Sequence, residues 1–67
     1  MNKFCERLKE LRIEKNLSQH LLSKELGYSQ AAIARWEAGI QIPNIDVAIT
    51  LAKYFGVTTD YLLGLEE

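Results

Sequence analysis

The sequence predicts an all-α fold of five short helices. Three observations carry this reading: apolar residues recur at helical spacing, hydroxyl and amide caps recur behind an apolar residue, and no segment alternates as a strand would. Each helix is placed by its own start and stop signals.

Helix 1 is predicted from about Lys3 to Lys15, since Phe4, Leu8 and Leu11 fall at i, i+4 and i+7 with charges on the other sides, and Asn16 ends it. Leu17-Ser18 sets an apolar residue before a hydroxyl cap, with Leu22 as the staple partner of Leu17, so Ser18 opens helix 2 and Gly27 stops it. Tyr28-Ser29 repeats the pattern for helix 3, with Ile33 at the staple position and Gly39 where a helix end favours glycine. Pro43-Asn44 opens helix 4, which Gly56 closes. Val57-Thr58 opens helix 5, with Leu62 as staple and Asp60 in the first turn, where the helix dipole favours an acid.

A chain of 67 residues, 48% apolar and 25% charged, has the balance of a single folded domain, residues 1–67. One cysteine excludes an internal disulfide, and Cys5 with His20 cannot complete the ligand set of a zinc site. Cys5 reads as a small buried hydrophobe, and His20 as a solvated or phosphate-side residue. No nucleophile, base and orienter assemble in the sequence, so no enzyme, metal or cofactor is expected. No apolar run approaches a membrane span and no leader precedes the first charges, which leads to the expectation of a soluble, cytoplasmic protein.

Helices 2 and 3 are separated only by Gly27, Tyr28 and the cap Ser29. So tight a glycine-bearing turn signals a helix-turn-helix, whose second helix enters the DNA major groove; on spacing alone an ordinary helical hairpin fits as well. On a helical wheel Gln30, Ala31, Ala34, Arg35 and Ala38 share one face of helix 3, opposite Ala32, Ile33 and Trp36. Trp36 is expected at the edge of the core, with its indole N–H within reach of a DNA backbone. A solvated face usually carries Glu and Lys, whereas this one carries Gln, Arg and alanines. Glutamine pairs with adenine N6 and N7, arginine with guanine O6 and N7, and alanine methyls approach the thymine methyl. Alanine also favours helix on its own account.

The ordered string Leu8-x-x-Leu11-Arg12, Leu17-Ser18-Gln19-x-x-Leu22-Ser23-x-x-Leu26-Gly27, Ser29-Gln30-x-x-Ile33-x-x-Trp36-Glu37-x-Gly39, Pro43, Leu51-Ala52, Gly56-Val57 and Asp60-x-Leu62-Leu63 resembles the Cro/cI-type (XRE-like) helix-turn-helix regulators. The resemblance implies a compact, lambda-repressor-like five-helix DNA-binding domain. It implies base readout by Ser29, Gln30, Ala31, Ala34 and Arg35, and a phosphate contact by Gln19 at the start of helix 2, where amide hydrogens attract anions. It also implies a structural ion pair between Arg12 and Glu37 that locks helix 3 to helix 1. Ser23 stands where such proteins commonly have alanine, and either is small enough for close helix approach. Ala38 replaces a residue that is often polar, and the loop Ile40-Gln41-Ile42 lacks the usual basic residues. Gln41, Asn44 and main-chain amides near helix 4 remain as phosphate contacts.

A net charge of −1 argues against a nonspecific nucleic-acid binder. The charge is uneven, however: residues 1–53 hold all 8 Lys and Arg against 6 Asp and Glu, while residues 54–67 hold 3 acids. Lys3, Arg7, Lys9, Arg12 and Lys15 are interleaved with Glu6, Glu10 and Glu14 along helix 1, the pattern of surface helix pairs. With so weak a field, specific binding requires two footprints on an inverted-repeat operator, and hence a homodimer. Helix 4 is apolar outside Asp46, Thr50 and Lys53, and Tyr61, Leu63 and Leu65 add apolar surface, so the dimer is expected at the helix 4 to helix 5 end. The expected function is a sequence-specific double-stranded DNA-binding transcriptional regulator, a repressor. The rival reading is a helix-turn-helix protein-interaction module, an antitoxin or coactivator-like subunit, which the acidic balance favours and the acid-free face of helix 3 opposes.

Overall fold

The computed structural model describes residues 3–65 and folds them into α1 (Lys3–Glu14), α2 (Gln19–Leu26), α3 (Gln30–Glu37), α4 (Ile45–Phe55) and α5 (Thr59–Leu63), with no strand among the described residues. Short-range hydrogen bonds start the last four helices. Ser18 Oγ accepts from Leu21 N and Ser29 Oγ from Ala32 N, both at 3.0 Å. Asn44 Oδ1 accepts from Val47 N at 2.9 Å and Thr58 Oγ1 from Tyr61 N at 3.0 Å. Each cap satisfies an amide that has no partner inside its own helix, at a gain of about 1 kcal/mol.

The first helix ends at Glu14, one residue before the expected Lys15, and Asn16 turns the chain out with φ +60°. Asparagine is among the few side chains that adopt this left-handed conformation readily. Gly27, Gly56 and Gly64 cap α2, α4 and α5. The end of α3 is more elaborate. Ala38 is its C-cap, Gly39 N reaches Trp36 O at 3.2 Å, and φ +77° at Gly39 lets Ile40 N reach Arg35 O at 3.1 Å, which doubles the chain back along the helix.

One core cluster draws on all five helices: Phe4 and Leu8, Leu22, Ile33 and Trp36, Leu51 and Ala52, and Leu62. Phe4, Leu8, Leu22, Ile33, Leu51 and Leu62 are fully buried, and burial of each such side chain stabilises by about 1.5–3 kcal/mol. Against this core α1 lies beside α3 and α5, α2 beside α3, and α4 beside α5. Ser23 is buried with its hydroxyl donating to the His20 carbonyl at 2.6 Å, so its polar atom is satisfied within its own helix. Cys5 is also buried.

Trp36 packs into the core, as its side of the helical wheel leads one to expect, and only the expected reach of its indole is corrected. Its ring is 5% exposed and packs edge-on against Tyr28 with centroids 5.4 Å apart, and Nε1 is buried without a hydrogen-bond partner. The core takes in the whole indole, so its N–H does not extend toward a DNA backbone. At the other end of the molecule Arg7 lies over the Tyr61 ring, 4.1 Å from the centroid, and donates from Nη1 to the Tyr61 carbonyl, tying α5 to α1. No described helix is long and apolar enough to cross a membrane.

Candidate nucleic-acid interface

Burial of Ile33 and Trp36, three residues apart on one stripe, fixes the rotation of α3 about its axis. Ser29, Gln30, Ala31, Arg35 and Ala38 are thereby exposed, Ala34 is half-buried, and Ala32 turns toward the core. The outer face offers one amide and one guanidinium among methyl groups, with no acid. Arg35 is not loose: its Nε donates to Gln41 Oε1 at 2.8 Å. That bond occupies the carbonyl oxygen of Gln41 and leaves its amide nitrogen available.

Behind this face, Arg12 donates from Nε to Glu37 Oε2 at 2.7 Å, from Nη2 to Oε1 at 3.0 Å, and from Nη1 to the Leu17 carbonyl at 2.8 Å. The two side chains are 11% and 5% exposed. The hydrogen bond to Glu37 raises the Arg12 pKa above its ordinary value; burial works the other way and is outweighed, and the carboxylate charge adds to the rise. Gln19 Nε2 donates to the same Glu37 Oε1 at 3.1 Å, so one carboxylate gathers α1, α2 and α3. Gln19 retains a second amide hydrogen, and its main-chain N–H lies in the first turn of α2, ahead of any intrahelical acceptor. Asn44 spends Oδ1 on capping α4 and keeps Nδ2. His20 is exposed next to Gln19.

Lys9, Arg12, Gln19, Ala34, Glu37 and Ala38 line an open pocket of about 280 Å³. It connects the start of α2 to the outer face of α3. Sequence reasoning counted Lys9 only among the charges of helix 1, because the packing of α1 on α3, not any local pattern, brings it here. A second group escaped that reasoning as well: Ile40, Ile42 and Ile45 are 76%, 67% and 76% exposed, in the segment that lacks basic residues. Along α4, Ala48, Leu51 and Ala52 are buried, Val47, Tyr54 and Phe55 half-buried, and Ile49 exposed. Of the C-terminal apolar residues, Tyr61 and Leu63 are half-buried and Leu65 is exposed. Glu66 and Glu67, two of the three acids in residues 54–67, lie outside the described residues.

The family described as helix-turn-helix matches residues 8–62 of this chain. The chain is 44% identical over 64 residues to the HTH-type transcriptional activator BcrR of Enterococcus faecalis, covering 96% of this chain and 31% of that protein. It is 30% identical over 64 residues to the cryptic phage CTXphi transcriptional repressor RstR of Vibrio cholerae, covering 96% of this chain and 58% of the repressor. With an HTH-type transcriptional regulator of Methanocaldococcus jannaschii it shares 36% identity over 61 residues, which is 91% of this chain and 92% of that one. The crystal structure of a transcriptional regulator from Listeria innocua matches with a TM-score of 0.88 at 30% identity, covering 100% of this chain and 63% of that one. The chain thus spans less than two thirds of the activator, the repressor and the Listeria protein. With two capped helices around a tight glycine turn, and with the match running from Leu8 to Leu62, the chain belongs to the XRE-type helix-turn-helix family of DNA-binding transcriptional regulators.

Proposed function

We propose that this chain acts as a single domain that binds double-stranded DNA sequence-specifically, inserting α3 from Ser29 to Ala38 into the major groove. The observation that carries the reading is the outer face of α3, where Gln30 and Arg35 stand exposed among alanines and no acid, while Ile33 and Trp36 hold the opposite side in the core. Gln30 pairs with adenine and Arg35 with guanine, and Ser29, Ala31 and Ala34 lie against neighbouring base edges and thymine methyls. Gln19, Gln41 and Asn44 donate their remaining amide hydrogens to phosphates, beside the first-turn amides of α2 and α4. Arg12 and Glu37 hold the reading helix in place without touching DNA.

A homodimer on an inverted repeat supplies the second footprint, with reading helices about 34 Å apart. Exposed Ile49 and Leu65 support a subunit contact at the α4 to α5 end. We assign repression as the regulatory sense, since a bound dimer blocks its site by occupying it, and the cytoplasm as the compartment. The exposed Ile40, Ile42 and Ile45 favour a second reading, a protein-interaction module, because apolar side chains stand where a phosphate-gripping loop would be basic.

Selection of bound sequences from random duplex DNA tests the proposal. An inverted repeat is expected, and Gln30→Ala and Arg35→Ala each relax the preference at one position per half-site, at roughly 1–3 kcal/mol. Uniform weakening with unchanged preference reassigns these side chains to phosphates. If no sequence is enriched at low salt, the protein-partner reading takes over.

A further inference from the structure

The turn after α3 returns the chain to one residue. Ile40 N and Gln41 N both donate to the Arg35 carbonyl, at 3.1 and 3.4 Å, and the Gln41 side chain then accepts from Arg35 Nε at 2.8 Å. Gly39 makes this return possible through its φ of +77°. The loop thus holds both ends of Arg35, its carbonyl and its guanidinium, although the side chain is exposed. An exposed arginine otherwise spreads over many rotamers, and ordering it on a ligand costs conformational freedom. A guanidinium already fixed at Nε has lost part of that freedom before any ligand arrives.

The chemistry of the remaining donors is specific. With Nε–H taken by Gln41, side-on pairing through Nε and one Nη is closed, and the end of the fork, Nη1 with Nη2, is left for a ligand. Two adjacent donors fit two adjacent acceptors. Guanine presents O6 and N7 in the major groove, whereas adenine sets an N6 donor beside its N7. We infer that Gln41 is a positioning residue that fixes Arg35 for end-on recognition of guanine, and so sets sequence preference without touching a base. This rests on the reading of α3 as the base-reading helix, and it is separate from any phosphate contact made by the Gln41 amide nitrogen.

The test uses the whole chain, the duplex it selects, and the same duplex with adenine in place of the guanine whose preference Arg35→Ala erases. The readout is the ratio of the two Kd values. A phosphate contact or a general loss of stability weakens both complexes alike and divides out of that ratio. Gln41→Leu, which keeps the bulk and removes the acceptor, is expected to lower the ratio roughly two- to tenfold, the worth of one net hydrogen bond. Gln41→Glu retains the acceptor and preserves the ratio, and Gln41→Leu adds nothing in an Arg35→Ala background. An unchanged ratio in Gln41→Leu overturns the inference and leaves the reading of α3 intact. If Arg35→Ala erases no preference at any position, both fall together.

Discussion

Arg12 and Glu37 meet fork to fork, with Nε on Oε2 at 2.7 Å and Nη2 on Oε1 at 3.0 Å, and so join the last turn of α1 to the last turn of α3. The pair is nearly dry, with 11% and 5% of the side chains exposed, and its other hydrogen bonds go to the Leu17 carbonyl and the Gln19 amide. A buried pair of this kind gains little over an apolar replacement but loses much when one partner is removed, because the other is then left charged and unpaired. Its value here is geometric: it sets where α3 lies against the rest of the molecule.

Arg12→Ala is therefore expected to destabilise the fold by about 3–5 kcal/mol. Arg12→Met combined with Glu37→Leu should cost less than the single change, since no buried charge remains. Urea unfolding of the single and double variants checks this; a double variant less stable than Arg12→Ala would show that the pair itself, not the orphaned carboxylate, supplies the stability.

Two glycines with similar φ should respond differently to alanine. At Gly39, φ is +77° and an added Cβ would lie 3.7 Å from Cys5 Sγ, an ordinary contact, so Gly39→Ala carries only the left-handed strain, about 1 kcal/mol. At Gly64, φ is +82° and the added Cβ would lie 2.6 Å from Lys3 Cβ, so α5 must move away from α1 as well. Gly64→Ala should lose about 2 kcal/mol or more. Comparable melting temperatures for the two variants would contradict the packing of α5 on α1.

Asn44 has two roles that one substitution separates. Asn44→Ala removes the acceptor for Val47 N and should cost about 1 kcal/mol of stability. Asn44→Asp keeps that acceptor and adds a charge favoured at a helix N-terminus, so thermal stability holds or rises. If Asn44 Nδ2 meets a phosphate, the aspartate weakens binding on every duplex alike. Undiminished affinity in Asn44→Asp would remove Asn44 from the interface.

Tyr54 contributes a pH dependence to stability on the alkaline side. Burial raises its pKa, and the neighbouring Glu25 raises it further through its charge and through a hydrogen bond from the phenol. The folded chain therefore holds the phenolic proton to higher pH than the unfolded chain does. This contribution to stability is complete below the ordinary phenol range and is lost as pH rises through the folded value. Urea midpoints measured from neutral to alkaline pH should fall less steeply for Tyr54→Phe than for the parent.

What could be read before any coordinates was local. Ser18, Ser29, Asn44 and Thr58 were legible as caps because a cap bond spans only three residues and depends on the side chain at one position. The exposed face of α3 was legible for a similar reason: burying Ile33 and Trp36 leaves Gln30, Ala31 and Arg35 pointing outward by helical geometry alone. Five helices of known hand, each with one apolar stripe, follow from such rules.

The relative placement of those helices does not. Gln19 meets Glu37, Arg7 covers Tyr61 and Lys9 joins the pocket beside α3 only once three or more helices share one core. The same packing swallowed the indole N–H of Trp36, and it left Ile40, Ile42 and Ile45 in the open. Periodicity reports which side of a helix is apolar. Whether a neighbour covers that side depends on crossing angles and on close packing among residues far apart in the chain, and these are settled by all five helices at once.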